Sequence, residues 1–139
     1  MVKPSIQVLV VDDFEPWRNF LRSTLQKELG LQVIGEVSDG VEAVKEAEKL
    51  QPDLVLLDIG LPTLNGIEVA KRIHEIVPDA KILFLTQNND LDVLGTCMAN
   101  GARGYLLKMD AEGELIPAIA AVMRGGKFVS RRLERRDSK

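Results

Sequence analysis

The 139-residue sequence holds a single cysteine, Cys97, so no disulfide can form within it and a disulfide scaffold is excluded. A reducing cytosol fits that usage. Positive charge is not in excess: 18 basic against 21 acidic residues leave a net charge of −3, which argues against a surface built wholly as a nucleic-acid footprint. Long apolar runs are missing too. The opening MVKPSIQVLVVDD breaks off at two aspartates, far short of a membrane span, and has no small-residue cleavage site of a secretory signal. A cytoplasmic protein without membrane contact is expected. No GxGxxG or GxxxxGK[ST] cradle occurs, and the acidic DDFEP repels phosphate where a nucleotide or flavin carrier needs a glycine-rich turn. Aromatics make up only 4%, so the core must be built from Val, Leu, Ile and Ala.

What is present is a regular alternation. Short apolar runs at Ile6–Val11, Leu31–Val37, Leu54–Leu57, Lys81–Leu85 and Gly104–Leu107 read as strands, most of them solidly apolar, as strands covered on both faces are. Between them lie five segments of helical period. Trp17, Leu21 and Leu25 mark the first, with Phe20 and Leu29 beside them, and Val44, Ala47 and Leu50 mark the second. Ile67, Ala70, Ile73 and Val77 mark the third. The fourth, about Leu91–Ala99, is weakened by Gly95; the fifth, about Glu112 to Arg124, carries Leu115, Ile119 and Val122. Pro117 conflicts with a helix interior, where it costs about 3 kcal/mol, unless the regular helix starts near Glu114. Gly30, Pro52, Pro78 and Gly101 supply the stops. Five βα units predict one α/β domain, an open parallel sheet with helices on both faces.

Ligands in such sheets bind beyond the carboxyl ends of the strands. Asp12 and Asp13 follow strand one, Asp58 strand three, Thr86 strand four and Lys108 strand five. Three carboxylates in one crevice repel one another, and a hard divalent cation with oxygen-only ligands, Mg²⁺, resolves the conflict. With that ion the set suits phosphoryl transfer to a carboxylate, with Lys108 and Thr86 meeting the equatorial oxygens. Asp58 is the expected nucleophile, since it follows the most apolar strand, LVLLD, and precedes the loop IGLPTLNG. A phosphohydrolase shares these groups but needs a cap, for which 139 residues leave no spare segment. An interaction module that is never phosphorylated stays open.

The stretches VLVVDDFEPWR, PDLVLLDIGLPTLNGIEVA, ILFLT and GARGYLLK resemble the CheY-like receiver domains of two-component response regulators, over about Ile6 to Ser130. GARGYLLK and AIAAVMRGGKFVS resemble the NarL/FixJ subgroup. The resemblance implies a flavodoxin-like (βα)5 doubly wound sheet of strand order 2-1-3-4-5. It implies that Asp13 holds Mg²⁺ directly and Asp12 largely through water, with the backbone carbonyl of Gly60 completing the shell. Asp58 then accepts a phosphoryl group from a sensor histidine kinase or phosphotransfer protein, Thr86 and Lys108 contact its oxygens, and Tyr105 turns inward as Thr86 moves. That changes the face of helix four, strand five and helix five, for an output partner that the sequence does not identify. A homodimer is possible. The implied chemistry is Mg²⁺-dependent self-phosphorylation and self-dephosphorylation only, not turnover of a substrate.

Gln87 stands where the family has a small residue, and could narrow access to the phosphoryl group. Gly60 and Asn88 occupy positions that tune self-dephosphorylation in the family, and the small Gly60 leaves room for water. Met109 stands where many members have proline; a cis bond there costs about 3–4 kcal/mol without proline, which leaves its isomer open. His74, the single histidine, is expected on the surface of helix three, so the chain is not the phosphohistidine donor. The sequence ends at Lys139 without the subgroup's helix-turn-helix, so no direct DNA binding by this chain is expected. The expected organisation is a receiver domain over 1–130 and a charged tail over 131–139, solvated or frayed, with five basic and two acidic residues.

Overall fold

The computed structural model describes residues 5–137. In chain order the elements are β1 (Ile6–Val11), α1 (Glu15–Leu25), β2 (Leu31–Val37), α2 (Gly40–Leu50), β3 (Leu54–Leu57), α3 (Gly66–Ile76), β4 (Lys81–Thr86), α4 (Leu91–Ala99), β5 (Gly104–Leu107), a 3-10 turn (Lys108–Asp110), α5 (Ala111–Met123), β6 (Phe128–Val129) and α6 (Arg131–Asp137). The sheet is parallel throughout, in the order β2-β1-β3-β4-β5-β6. The expected doubly wound sheet is therefore present, extended by a sixth strand.

Strand alternation divides the core in two. Leu9, Val11, Val55, Leu57, Ile82 and Phe84 point to one face, where Ala43 and Ala47 of α2, Val69, Ala70 and Ile73 of α3, and Leu94 and Cys97 of α4 cover them. Their neighbours Val8, Val10, Leu54, Leu56, Leu83 and Leu85 point to the other, beneath Leu21 and Leu25 of α1 and Leu115, Ala118, Ile119 and Val122 of α5. This is the two-sided burial that makes the strands of a parallel sheet read as continuous apolar runs. The order reverses at β1 and β3, where α1 and α3 leave on opposite faces. The chain parts there and opens a crevice beyond the strand ends.

Local chemistry sets the helix starts. Asp39 caps α2 by accepting from the amide of Glu42, Asn65 caps α3 by accepting from Ile67 and Glu68, and Asp90 caps α4 by accepting from Asp92. Pro16 falls in the first turn of α1, where the missing N–H costs nothing. Among the described residues no peptide bond is cis, so Lys108–Met109 is trans.

Three expectations need correction. α5 is regular from Ala111, so Pro117 lies inside it rather than near its start. Pro117 and Gly113, whose carbonyl loses its helical donor, are both exposed, and water can satisfy that carbonyl. Leu29 does not join the α1 stripe: the helix stops at Leu25, and Leu29 is fully exposed on the turn into Gly30. The charged segment after Ser130 is not frayed over residues 131–137 but forms α6, with Leu133 fully buried against the α4 side of the sheet; residues 138–139 lie outside the described residues. His74 is exposed on α3 and Cys97 is buried, its thiol pushed up to about 12 by burial, as expected of a small apolar packing residue. Among the described residues no helix is long and apolar enough to cross a membrane.

Candidate phosphoryl-transfer site at the strand ends

Asp12 and Asp58 owe their positions to the strands before them. Val8–Val11 and Leu54–Leu57 are all at most 1% exposed, so the chain stays in the sheet until its first polar residue emerges at the carboxyl edge. The Asp58 amide donates to the carbonyl of Val11 at 3.0 Å, which locks the two strand ends side by side. Asp12, Asp13 and Asp58 each offer a carboxylate oxygen, all within 4.8 Å of one another. Thr86 ends β4 and Lys108 follows β5. Both line, with Asp13, Asp58 and Gly60, one open cleft of about 500 Å³, and the exposed Gln87 stands at its border. The five residues singled out from distant parts of the sequence thus meet at one edge.

Lys108 reaches into the acids. Its Nζ lies 2.7 Å from Asp12 Oδ2 and 3.4 Å from Asp58 Oδ2, with its charge 5.2 Å from the centre of the Trp17 ring. The closer approach is an ion pair with the buried Asp12. Asp12 Oδ1 accepts from the amide of Phe14 at 2.9 Å, and Asp58 Oδ1 accepts from the amide of Ile59 at 2.8 Å. Burial pushes the Asp58 carboxyl above its ordinary range. Lys108 pulls it back and the negative charge of Asp12 pushes it further up. One lysine does not balance three carboxylates. Three carboxylates that converge within 4.8 Å and share a single lysine, in a cleft that Gly60 also lines, suit a hard divalent cation such as Mg²⁺.

Thr86 is 3% exposed, and its hydroxyl accepts from the amide of Asn88 at 3.1 Å. The carbonyl of that same Asn88 receives the Tyr105 hydroxyl at 2.6 Å, so Thr86 and Tyr105 grip one loop from two sides. The Tyr105 ring is fully buried, tilted against Phe84 with centroids 6.3 Å apart.

Two supports of the site were not evident in the sequence. Gly66, the first residue of α3, packs so close to the Asp58 backbone that a Cβ would stand 2.0 Å from its carbonyl oxygen. Arg18 on α1 donates to the backbone carbonyl of Asp12 at 2.7 Å. The glycine beside a capping asparagine is a readable hint of close approach; the arginine gives none, because its acceptor is a backbone atom.

Comparison with known proteins agrees with this geometry. Residues 8–120 match the family described as response regulator receiver domain. The transcriptional regulatory protein DegU of Brevibacillus brevis is 36% identical over 125 residues, covering 89% of this chain and 52% of that protein. LiaR of Bacillus subtilis is 39% identical over 120 residues, covering 86% and 57%. The chain therefore spans little more than half the length of these curated relatives. Among solved structures, a LuxR-family two-component response regulator from Aurantimonas superposes with a TM-score of 0.90 at 28% identity, over 94% of both chains. The isolated REC domain of RcsB from Salmonella enterica, determined with phosphomimetic BeF3−, gives 0.88 at 27% identity, over 94% of this chain and 97% of that one. With the receiver model spanning most of the chain and LuxR/NarL-type regulators as its relatives, this protein belongs to the response regulator receiver domains of two-component systems.

Proposed function

We propose that Asp58 is the phosphoacceptor and that Asp12, Asp13, Asp58 and the carbonyl of Gly60 hold the Mg²⁺ that the reaction needs. The observation that carries this reading is the meeting of three carboxylates at one sheet edge, with Lys108 as the one cation paired to them among the described residues. A carboxylate oxygen of Asp58 attacks phosphorus, the P–N bond to a kinase phosphohistidine breaks, and the electron pair leaves with the imidazole nitrogen. Bound Mg²⁺ supplies charge neutralisation on the phosphoryl oxygens. Lys108 sits within reach of Asp58 Oδ2 and can follow the new negative charge, while the Thr86 hydroxyl exchanges its acceptor role towards Asn88 for donation to a phosphoryl oxygen.

Loss of the Thr86–Asn88 contact is the natural trigger for the loop that Tyr105 also holds, and so for the face made by α4, β5 and α5. The Tyr105 ring is already buried, so on this reading the switch shifts a loop equilibrium rather than drawing in an exposed ring. Partners on this reading are a cytoplasmic histidine kinase or phosphotransfer protein and an output partner met through that face, as a monomer or homodimer.

The test is intact-mass measurement after incubation with Mg²⁺ and acetyl phosphate. One added phosphoryl group is expected in the unaltered chain, none in Asp58→Ala, and none when Mg²⁺ is chelated. A phosphoryl group retained by Asp58→Ala would remove the assignment.

A further inference from the structure

We propose that Arg18 is a positioning residue that holds the metal-binding acids in their binding geometry; the inference rests on the metal site proposed above. Asp13, the acid expected to touch the ion directly, is exposed and has no hydrogen-bond or ion-pair partner among the described residues. Its carboxylate is aimed by its backbone alone. That backbone is set at the Asp12–Asp13 peptide, whose carbonyl belongs to Asp12 and accepts the Arg18 Nη1–H at 2.7 Å. The Asp12 amide donates to the Val37 carbonyl at 3.0 Å, so the residue is fixed from β2 on one side and from α1 on the other.

Arg18 is itself anchored. Its side chain is only 17% exposed, and its Nε lies 3.7 Å from Glu36 Oε1 on the edge strand β2. Glu36 is gripped in turn by Arg22, one turn further along α1, with Nε to Oε2 at 2.6 Å and Nη2 to Oε1 at 2.8 Å. The fork thus reaches a backbone carbonyl with one arm while its base faces a fixed carboxylate. Lysine, a point charge on a flexible stem, cannot make both contacts from one position. Outer residues of this kind orient the ligands of a metal they never touch.

A positive charge this close to the acids also repels a cation, so loss of charge and loss of geometry have opposite signs. Arg18→Lys separates them by keeping the charge and losing the fork. The experiment titrates the full chain with Mn²⁺, an ion of similar oxygen preference, and follows the free-ion electron paramagnetic resonance signal. Arg18→Lys is expected to weaken Mn²⁺ binding by about tenfold, the lower end of what such supporting contacts contribute. Its maximal phosphorylation rate at saturating Mg²⁺ should stay within about twofold of the unaltered protein, since occupancy and not chemistry is affected. Glu36→Gln, which slackens the anchor and leaves Arg18 in place, should weaken binding in the same direction by less and serves if Arg18→Lys does not fold. Arg72→Met, which removes an equal charge from an exposed i,i+4 pair on α3, should leave the affinity unchanged. Unchanged or tighter binding in both Arg18→Lys and Glu36→Gln would overturn the inference. No Mn²⁺ binding by the unaltered chain would overturn the metal site itself, and this inference with it.

Discussion

At the scale of single residues, the raised carboxyl of Asp58 has a consequence for stability. Burial disfavours its ionised form more than Lys108 restores it. A group whose folded-state pKa lies above its unfolded value contributes fully below the unfolded value and loses that contribution as pH rises through the folded one. For Asp58 the window opens at the ordinary carboxylate value of 3.8 and runs upward. In chelator, Asp58→Asn should therefore melt with the unaltered protein at the acid end and at a higher temperature near neutrality. Lys108 keeps Asp12 as its counter-ion in that variant, so no stranded charge offsets the gain. Adding Mg²⁺ should reverse the order, because the ion prefers the ionised carboxylate. Thermal unfolding from pH 3.5 to 7.5, with and without Mg²⁺, measures both; a difference that is constant across pH would contradict the assigned shift.

The candidate site was legible in the sequence at this scale because each of its residues ends a strand, and the βα order says where strand ends go. Asp12, Asp58, Thr86 and Lys108 need no more than that rule. Arg18 and Glu36 were illegible for the complementary reason. A guanidinium reaching a carbonyl across a helix–strand gap leaves no period and no spacing, and any exposed helix carries arginines. Gln87, singled out only for its size, does stand at the cleft border.

At the scale of elements, two glycines with the same flexibility have opposite uses. Gly66 starts α3 against the Asp58 backbone, where a Cβ would meet the carbonyl oxygen at 2.0 Å. Because the obstacle is main chain, either α3 or the β3–α3 loop must move, and Gly66→Ala should cost about 1–3 kcal/mol, as overpacking does. Gly95 lies mid-way along α4 with open space around its missing side chain, so Gly95→Ala should gain about 0.5–1 kcal/mol from propensity alone. Urea unfolding of the pair checks both signs. A neutral Gly66→Ala would mean that the approach of α3 to the phosphoacceptor loop is not tight. The ranges of β1, β2, β3, β5 and α4 were readable from apolar runs and stops alone. β6 was not, since two residues are too few to show a period, and α6 was hidden because its buried Leu133 sits in a run of charges.

At the scale of the whole molecule, β6 and α6 decide where the cooperative unit ends. Phe128 and Val129 pair with Gly104 and Tyr105, which makes β6 a true edge of the sheet. Ser130 ties the next step: its amide donates to the Tyr105 carbonyl at 3.0 Å, and its buried hydroxyl accepts from the Leu107 amide at 2.8 Å, immediately before Lys108. Arg132 closes on Asp110 with a two-pronged ion pair at 3.0 and 2.8 Å, and Leu133 enters the cluster that holds Tyr105, Leu107 and Leu94. A tail that merely rested on the surface could be loosened at no cost. A segment laced to β5 by backbone, hydroxyl and apolar contacts should unfold with the rest. Leu133→Ala should then cost about 2–5 kcal/mol, the range for emptying a fully buried leucine site. The loss should appear as one shifted transition by circular dichroism and by Trp17 fluorescence, although Trp17 lies on the opposite face of the sheet from Leu133. Domains of this size hold only about 5–15 kcal/mol in total, so such a loss would be plain at 37 °C. A shift below about 0.5 kcal/mol, the scale of ordinary surface substitutions, would return the boundary to residue 130 and leave 131–137 a helix that docks without contributing.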